Sequence, residues 1–106
     1  MKELKTSEFK KEIADFKGLA VVDFWAAWCG PCHMLSPVIL EVAKEFEKDV
    51  NIKFFKVNVD LEGDLAITYM VQSIPTVKFF KDGKVVDEFV GVVGKEKIKS
   101  IIEKYK

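Results

Sequence analysis

The sequence predicts an α/β domain in which a central mixed sheet of four to five strands carries about four helices on its two faces. Three observations predict it. Strand-like and helix-like segments alternate along the chain before a final hairpin and helix. Residues 19–25 are almost wholly apolar, as in a parallel strand that is covered on both faces. An Asp-Gly pair between two apolar runs indicates a tight antiparallel hairpin.

The N-terminal segment predicts a first helix. Thr6 is a suitable N-cap, and Gly18 is a suitable stop. Between them, apolar residues recur at helical spacing: Phe9, Ile13 and Phe16. The residues before Thr6 give only weak support for an additional edge strand.

A central strand and a long helix follow. The strand covers Leu19–Trp25, and the helix runs from about Cys32 to Lys48. Its buried stripe is Leu35, Ile39, Val42 and Phe46. Pro37 lies within this helix and predicts a kink there, because proline lacks an N–H and its ring clashes with the preceding turn.

The second half of the chain predicts three strands and two helices. A strand over residues 51–59 is followed by a short helix around 64–70. Strands over 76–80 and 85–90 are joined by Lys81-Asp82-Gly83-Lys84. Gly94 precedes a last helix, whose inward side chains are Ile98, Ile101, Ile102 and Tyr105.

Length and composition limit the class of protein. A chain of 106 residues fits one domain that spans residues 1–106. Its 17 basic and 17 acidic side chains cancel, which argues against a nucleic-acid-binding protein. The densest apolar stretch, residues 19–29, is shorter than the roughly 20 residues of a membrane span. No apolar segment of the signal-peptide kind precedes it, so we expect a cytosolic protein that binds neither nucleic acid nor membrane.

The two cysteines predict redox chemistry. Cys29 and Cys32 are separated by Gly30-Pro31, so a bridge between them would close a very short loop. Stabilisation by a cross-link grows with loop size, and a purely structural disulfide is therefore a weak explanation. A thiol pair that forms and breaks a bridge easily explains the spacing better.

Their position predicts different roles for the two thiols. They lie where a buried strand ends and a helix begins, and open α/β sheets usually place their functional sites there. Unpaired N–H groups and the positive end of the helix dipole favour a thiolate at Cys29. Thiolate is the nucleophile of disulfide exchange, so we expect Cys29 to attack. Cys32 lies one turn further into the helix, where it is more shielded and suited to resolve a mixed disulfide.

The segment from Val22 to Cys32, Val-Asp-Phe-Trp-Ala-Ala-Trp-Cys-Gly-Pro-Cys, resembles the active-site motif of the thioredoxin family. The resemblance covers essentially the whole chain and includes four further features: Lys56 with Asp60, Ile74-Pro75-Thr76, Lys81-Asp82-Gly83, and Gly91. It implies the thioredoxin fold and a general protein-disulfide reductase without a bound cofactor. It also implies disulfide-containing client proteins as substrates, a separate thioredoxin reductase as electron donor, and a monomer.

The resemblance assigns roles to further residues. Asp23 is a lone carboxylate in an apolar strand, and burial would raise its pKa; the family pattern places it beneath Cys32, where it assists proton transfer. Lys56 matches a family lysine near that acid, although it also fits an ordinary half-exposed strand lysine. Pro75 matches a cis proline beside the thiols. The residues that would line the client-docking face are Trp28, Gly30, Pro31, Ile74 and Gly91, with the Ile74 backbone pairing to an extended substrate.

The sequence also fits other functions. A protein thiol oxidase or disulfide isomerase of the same fold would use the same cysteines. His33 departs from the lysine or arginine that the family usually has there, and it creates the Cys-X-X-Cys-His pattern of covalent haem attachment. Cys29, Cys32 and His33 could also serve a metal, although structural zinc needs four ligands. A non-catalytic interaction module is the remaining alternative.

Overall fold

The computed structural model describes residues 1–106. Its strands are β1 (Lys2–Glu3), β2 (Leu19–Trp25), β3 (Ile52–Asn58), β4 (Thr76–Lys81) and β5 (Lys84–Val90). Its α-helices are α1 (Gly30–Glu45), α2 (Gly63–Thr68) and α3 (Lys95–Tyr105), and two short helical segments precede β2. None of these helices has both the length and the apolar character that crossing a membrane requires.

The five strands form one mixed sheet in the order β1-β3-β2-β4-β5. Strand β2 is parallel to β3 and antiparallel to β4, and the short β1 is parallel to β3 at the edge. Strand β2 therefore has a neighbour on each side, and its residues from Leu19 to Phe24 are all buried. This position explains its apolar sequence, and the predicted mixed sheet is confirmed.

Two apolar clusters cover the two faces of the sheet. The cluster on the side of α1 and α3 contains Leu19, Val21 and Val77 together with Leu35 and Ile39 of α1. The other cluster takes the alternate residues of β2: Ala20, Val22 and Phe24. Because side chains alternate along a strand, Asp23 lies on the same face as Leu19 and Val21, and so faces α1.

The predicted first helix is only partly right. The segment is a 3₁₀ turn at Thr6–Glu8 followed by a π-helical turn at Lys10–Ala14. Lys5, not Thr6, occupies the N-cap position, and its N–H donates to Glu8 Oε1 at 3.0 Å. Thr6 does not cap the helical segment, because its N–H and its hydroxyl both donate to Glu62 Oε1, at 2.8 and 2.9 Å. The buried face that the apolar spacing predicts is nevertheless confirmed, since Phe9, Ile13 and Phe16 all pack in the second cluster.

The boundaries of the other elements differ slightly from the prediction. Helix α1 begins at Gly30, two residues before the predicted start, because Pro31 fits the first helical turn and Cys29 supplies the cap. It ends at Glu45, before Lys48, and it continues through Pro37. The weakly supported edge strand is present as β1.

The predicted hairpin between β4 and β5 is confirmed. Lys81 and Lys84 are the last register pair, which leaves a two-residue loop. Asp82 and Gly83 both have positive φ, +52° and +85°, which is the requirement of the tight turn that matches strand twist. The Asp82 N–H also donates to the Gly18 carbonyl at 2.9 Å, so the turn is tied to the residue that precedes β2.

Candidate active site

The cysteine pair lies at the N-terminus of α1. Cys29 is the N-cap residue, with extended backbone, and its Sγ accepts the N–H of Cys32 at 3.2 Å. The two cysteines are joined by a disulfide, with their Cα atoms 5.3 Å apart. Sulfur therefore takes the place that a serine or aspartate oxygen usually holds at a helix start. After reduction, the same N–H and the helix dipole would favour negative charge on Cys29.

The two sulfurs differ in their surroundings more than in their burial. Cys29 is 4 % exposed and Cys32 is 2 % exposed, so both are buried in the bridged state. Cys29 Sγ lies 3.9 Å from the carbonyl oxygen of Ile74. Cys32 instead lines a cavity on the inner side, between α1 and the sheet. The structure thus places one sulfur beside the loop before β4 and the other above the sheet.

Asp23 shares that inner cavity with Cys32. The cavity has a volume of about 150 Å³ and is lined by Asp23, Trp25, Cys32, His33, Ser36 and Lys56. Asp23 is 2 % exposed, and its Oδ1 has no hydrogen-bond partner. Burial raises the pKa of Asp23 from 3.8 to about 7, an effect that the Lys56 ammonium opposes and the Glu3 carboxylate reinforces.

Lys56 lies beside Asp23 in the sheet, but it forms its ion pair with a different residue. It is the register partner of Asp23 across β2 and β3. Its Nζ forms an ion pair with Glu3 Oε2 at 3.6 Å and lies 4.9 Å from the centre of the Trp25 ring. The Trp25 indole N–H also donates to Glu3, at 3.1 Å to Oε1. Glu3 therefore belongs to the surroundings of Asp23, which the sequence did not reveal.

The segment before β4 borders the cysteines on the outer side. The Ile74–Pro75 peptide bond is cis, as the family resemblance implied, and Ile74 packs against the cluster that holds both cysteines. The Gly91 N–H donates to the Pro75 carbonyl at 2.8 Å, and Gly91 has a φ of +90°. Ile74 therefore lies beside Cys29, and a backbone hydrogen bond connects Gly91 to the neighbouring Pro75.

Trp28 provides the most exposed aromatic surface next to the cysteines. Its side chain is 71 % exposed, and its indole N–H donates to Asp60 Oδ2 at 2.8 Å. Gly30 and Pro31, in the first turn of α1, are also exposed. The predicted docking residues thus lie on either side of Cys29, with Asp60 fixing the tryptophan. The sequence placed Asp60 only within the family pattern and gave no signal for this contact.

His33 lines the inner cavity with Cys32, and its ring contacts the backbone and Trp25. Its Nε2 lies 2.7 Å from the carbonyl oxygen of Ala27, and its ring meets the Trp25 ring edge to face at 6.3 Å. No group of three His, Cys, Asp or Glu side chains is arranged to hold a metal ion. The geometry therefore gives no support to the metal-binding alternative for Cys29, Cys32 and His33.

Comparison with known proteins agrees with this geometry. The family model described as Thioredoxin matches residues 1–104. Thioredoxin 1 of Nostoc sp. is 44 % identical over 99 residues, which are 93 % of this chain and 91 % of that protein. Thioredoxin of Pyropia yezoensis is 43 % identical over the same shares of the two chains. The chloroplastic M-type thioredoxin of Spinacia oleracea is 38 % identical over 105 residues, which are 99 % of this chain and 57 % of that protein.

The family match covers nearly the whole length, and a disulfide joins two cysteines at the start of α1, so the chain belongs to the thioredoxin family of protein-disulfide oxidoreductases.

Proposed function

We propose that this chain reduces disulfide bonds in client proteins, with Cys29 as the attacking thiolate and Cys32 as the resolving thiol. The observation that carries this assignment is the N-cap contact, in which Cys29 Sγ accepts the Cys32 N–H at 3.2 Å. Only Cys29 occupies the position where the first-turn amides and the helix dipole favour a thiolate. Its thiolate is the nucleophile that disulfide exchange requires.

The reaction has two exchange steps. In the first, the Cys29 thiolate attacks one sulfur of the client disulfide, that disulfide breaks, and the client's other sulfur leaves as a thiolate. A mixed disulfide between Cys29 and the client results. In the second, Cys32 gives its proton to Asp23 and attacks Cys29 Sγ, which releases the client's remaining sulfur as a thiolate. Two electrons pass to the client, and the chain ends with the Cys29–Cys32 disulfide.

Asp23 is suited to carry the proton of the second step. It lines the same inner cavity as Cys32, and its pKa of about 7 keeps both protonation states populated at neutral pH. Lys56 lowers the pKa of Asp23 and so partly offsets the effect of burial, which keeps that pKa near neutrality. Asp23 Oδ1 has no hydrogen-bond partner, so this oxygen is free to accept a proton.

The client lies against the outer surface. Trp28, Gly30, Pro31, Ile74 and Gly91 line the docking face, and Pro75 shapes it. An extended client segment pairs with the Ile74 backbone, and such backbone bonds tolerate many client sequences. A separate thioredoxin reductase returns the electrons, so the chain needs no bound cofactor. We expect the chain to act as a monomer. A cytosolic location remains a prediction, because the similar proteins include a chloroplastic one.

Single cysteine variants test which cysteine attacks the client and which resolves the mixed disulfide. Cys32→Ser removes the resolving thiol, so covalent client complexes should accumulate through Cys29 and disappear on reduction with dithiothreitol. Cys29→Ser is the matched control and should trap none. Mass spectrometry of the complexes gives the linkage. Complexes that form through Cys32 in Cys29→Ser, with none in Cys32→Ser, would reverse the assignment.

A further inference from the structure

Three charged residues form a row across three neighbouring strands. Glu3 on β1 is the register partner of Lys56 on β3, and Lys56 is the register partner of Asp23 on β2. Register partners on adjacent strands project from the same face of a sheet. The row therefore runs from the exposed edge of the sheet to the cavity beneath Cys32, in the order acid, base, acid.

The middle residue of this row is bound to the outer acid. Lys56 Nζ is 3.6 Å from Glu3 Oε2 and forms no ion pair with Asp23. The other Glu3 oxygen accepts the Trp25 indole N–H at 3.1 Å, and Lys56 lies over the Trp25 ring. One hydrogen bond from Trp25 thus holds Glu3 in the position where it binds the ammonium, while Asp23 Oδ1 has no hydrogen-bond partner.

We propose that Glu3 is a positioning residue for disulfide reduction, which holds the Lys56 ammonium away from Asp23 and so keeps Asp23 able to take the proton of Cys32 at neutral pH. The inference rests on the proposed proton-carrying role of Asp23. Glu3 itself touches neither the client nor the sulfurs.

Glu3 affects the protonation of Asp23 in two ways, and both favour the protonated carboxyl. A close ion pair with Lys56 would favour the ionised carboxylate and weaken its hold on a proton, and Glu3 prevents this by binding Lys56. The negative charge of Glu3 also acts directly and raises the pKa of Asp23, so the direct and indirect effects have the same sign. The remaining elements bring few charges to this place. Helix α1 contributes Cys32, His33 and Ser36, and β4 contributes the apolar Val77 as the register partner of Asp23.

The variant that tests this is Glu3→Gln, which removes the charge and keeps an oxygen to accept the Trp25 N–H. The titration of Asp23 is followed by carboxyl ¹³C NMR in the oxidised protein. Its midpoint should fall by more than the roughly 0.3 to 1 pH unit that Coulomb's law gives for the direct effect of a charge two strand spacings away, because the effect through Lys56 adds to it. The pH profile of the resolving step, followed in the reduced protein as client release from the mixed disulfide, should move in the same direction.

Glu41→Gln is the matched control. Glu41 lies nine residues beyond Cys32 on α1 and forms an ion pair with Lys95, so this variant also loses one charge and one exposed ion pair. It should leave both the Asp23 midpoint and the pH profile unchanged. An equal shift in Glu41→Gln would reduce the effect to net charge and overturn the proposal.

A second background separates the two contributions of Glu3. In Lys56→Met there is no ammonium to hold, so the shift that Glu3→Gln causes should fall by half or more. An undiminished shift would show that Glu3 does not act through Lys56. An unchanged Asp23 midpoint in Glu3→Gln would overturn the inference and leave the function of Asp23 standing. If instead Asp23→Asn left the pH profile of the resolving step unchanged, the proton-carrying role itself would be wrong.

Discussion

The indole N–H of Trp28 donates to the Oδ2 of Asp60 at 2.8 Å. The two residues follow β2 and β3, whose carboxyl ends meet at one edge of the sheet because the strands are parallel. Trp28 is 71 % exposed and buries little surface that could fix its ring. Asp60 is therefore the group that holds the largest exposed aromatic side chain beside the cysteines in one orientation.

Loss of this hydrogen bond should weaken client binding. Asp60→Ala and Trp28→Phe each remove one partner, and each should raise KM by about 2- to 10-fold, the effect of one partly exposed hydrogen bond to a charged group. The double variant should be no worse than the more affected single variant, since both lose the same interaction. Steady-state reduction of a protein disulfide measures this. Additive effects would contradict the pairing.

The buried carboxyl of Asp23 should make stability depend on pH. Its folded pKa of about 7 exceeds its ordinary value of 3.8, so the unfolded state releases this proton first as pH rises. The stabilisation by protonated Asp23 is fully present below pH 3.8 and is lost as pH rises toward 7, in total about 4 kcal/mol.

Asp23→Asn removes this titration. The free energy of unfolding of the variant minus that of the wild type should become more positive by about 3 kcal/mol between pH 5 and pH 8. Urea unfolding of both oxidised proteins at the two pH values checks it. The Glu41→Gln variant serves as the control and should show no such growth. A constant difference between Asp23→Asn and wild type would mean that Asp23 is not protonated in the folded protein near neutrality.

The same variant should affect one exchange step more than the other. Without the Asp23 carboxylate, the Cys32 proton loses the one carboxylate acceptor that lines the inner cavity, so release of the client should slow by about 10²-fold, at the lower end of general acid–base effects. Initial attack by Cys29 should change far less, because Cys29 Sγ faces Ile74 on the outer side. Stopped-flow fluorescence resolves the two steps. Equal slowing of both would argue against proton transfer to Asp23.

Gly83, in the turn of the hairpin, should tolerate no side chain. Its φ is +85°, and an added Cβ would collide with the carbonyl oxygen of Ala14. Gly83→Ala should lower the free energy of unfolding by about 1–3 kcal/mol. Gly63→Ala, at the start of α2 where a Cβ meets nothing within 4 Å, should be neutral or stabilising. A neutral Gly83→Ala in urea unfolding would contradict the observed turn.

The features that the sequence predicted well are those with a local cause. The apolar run of β2, the Asp82-Gly83 turn and the position of Cys29 before α1 each depend on a few consecutive residues. Patterns of this kind act through backbone propensity and burial periodicity. For the same reason, the spacing of Phe9, Ile13 and Phe16 identified a buried face, even though the segment is not one α-helix.

The contacts that the sequence did not predict join residues far apart in the chain. Thr6 does not occupy the cap position, because Glu62, 56 residues away, accepts its N–H. Glu3 reached Lys56 only through the parallel pairing of a two-residue edge strand. Such contacts depend on strand order and register, which no local pattern specifies.

The most direct test of the function is an equilibrium redox titration against a dithiol buffer, followed by tryptophan fluorescence and by intact mass. We expect a single two-electron transition below about −200 mV, with a loss of two hydrogens on oxidation that maps to Cys29 and Cys32. A transition above about −180 mV would instead identify an oxidase or isomerase. No transition would contradict disulfide exchange by this pair altogether.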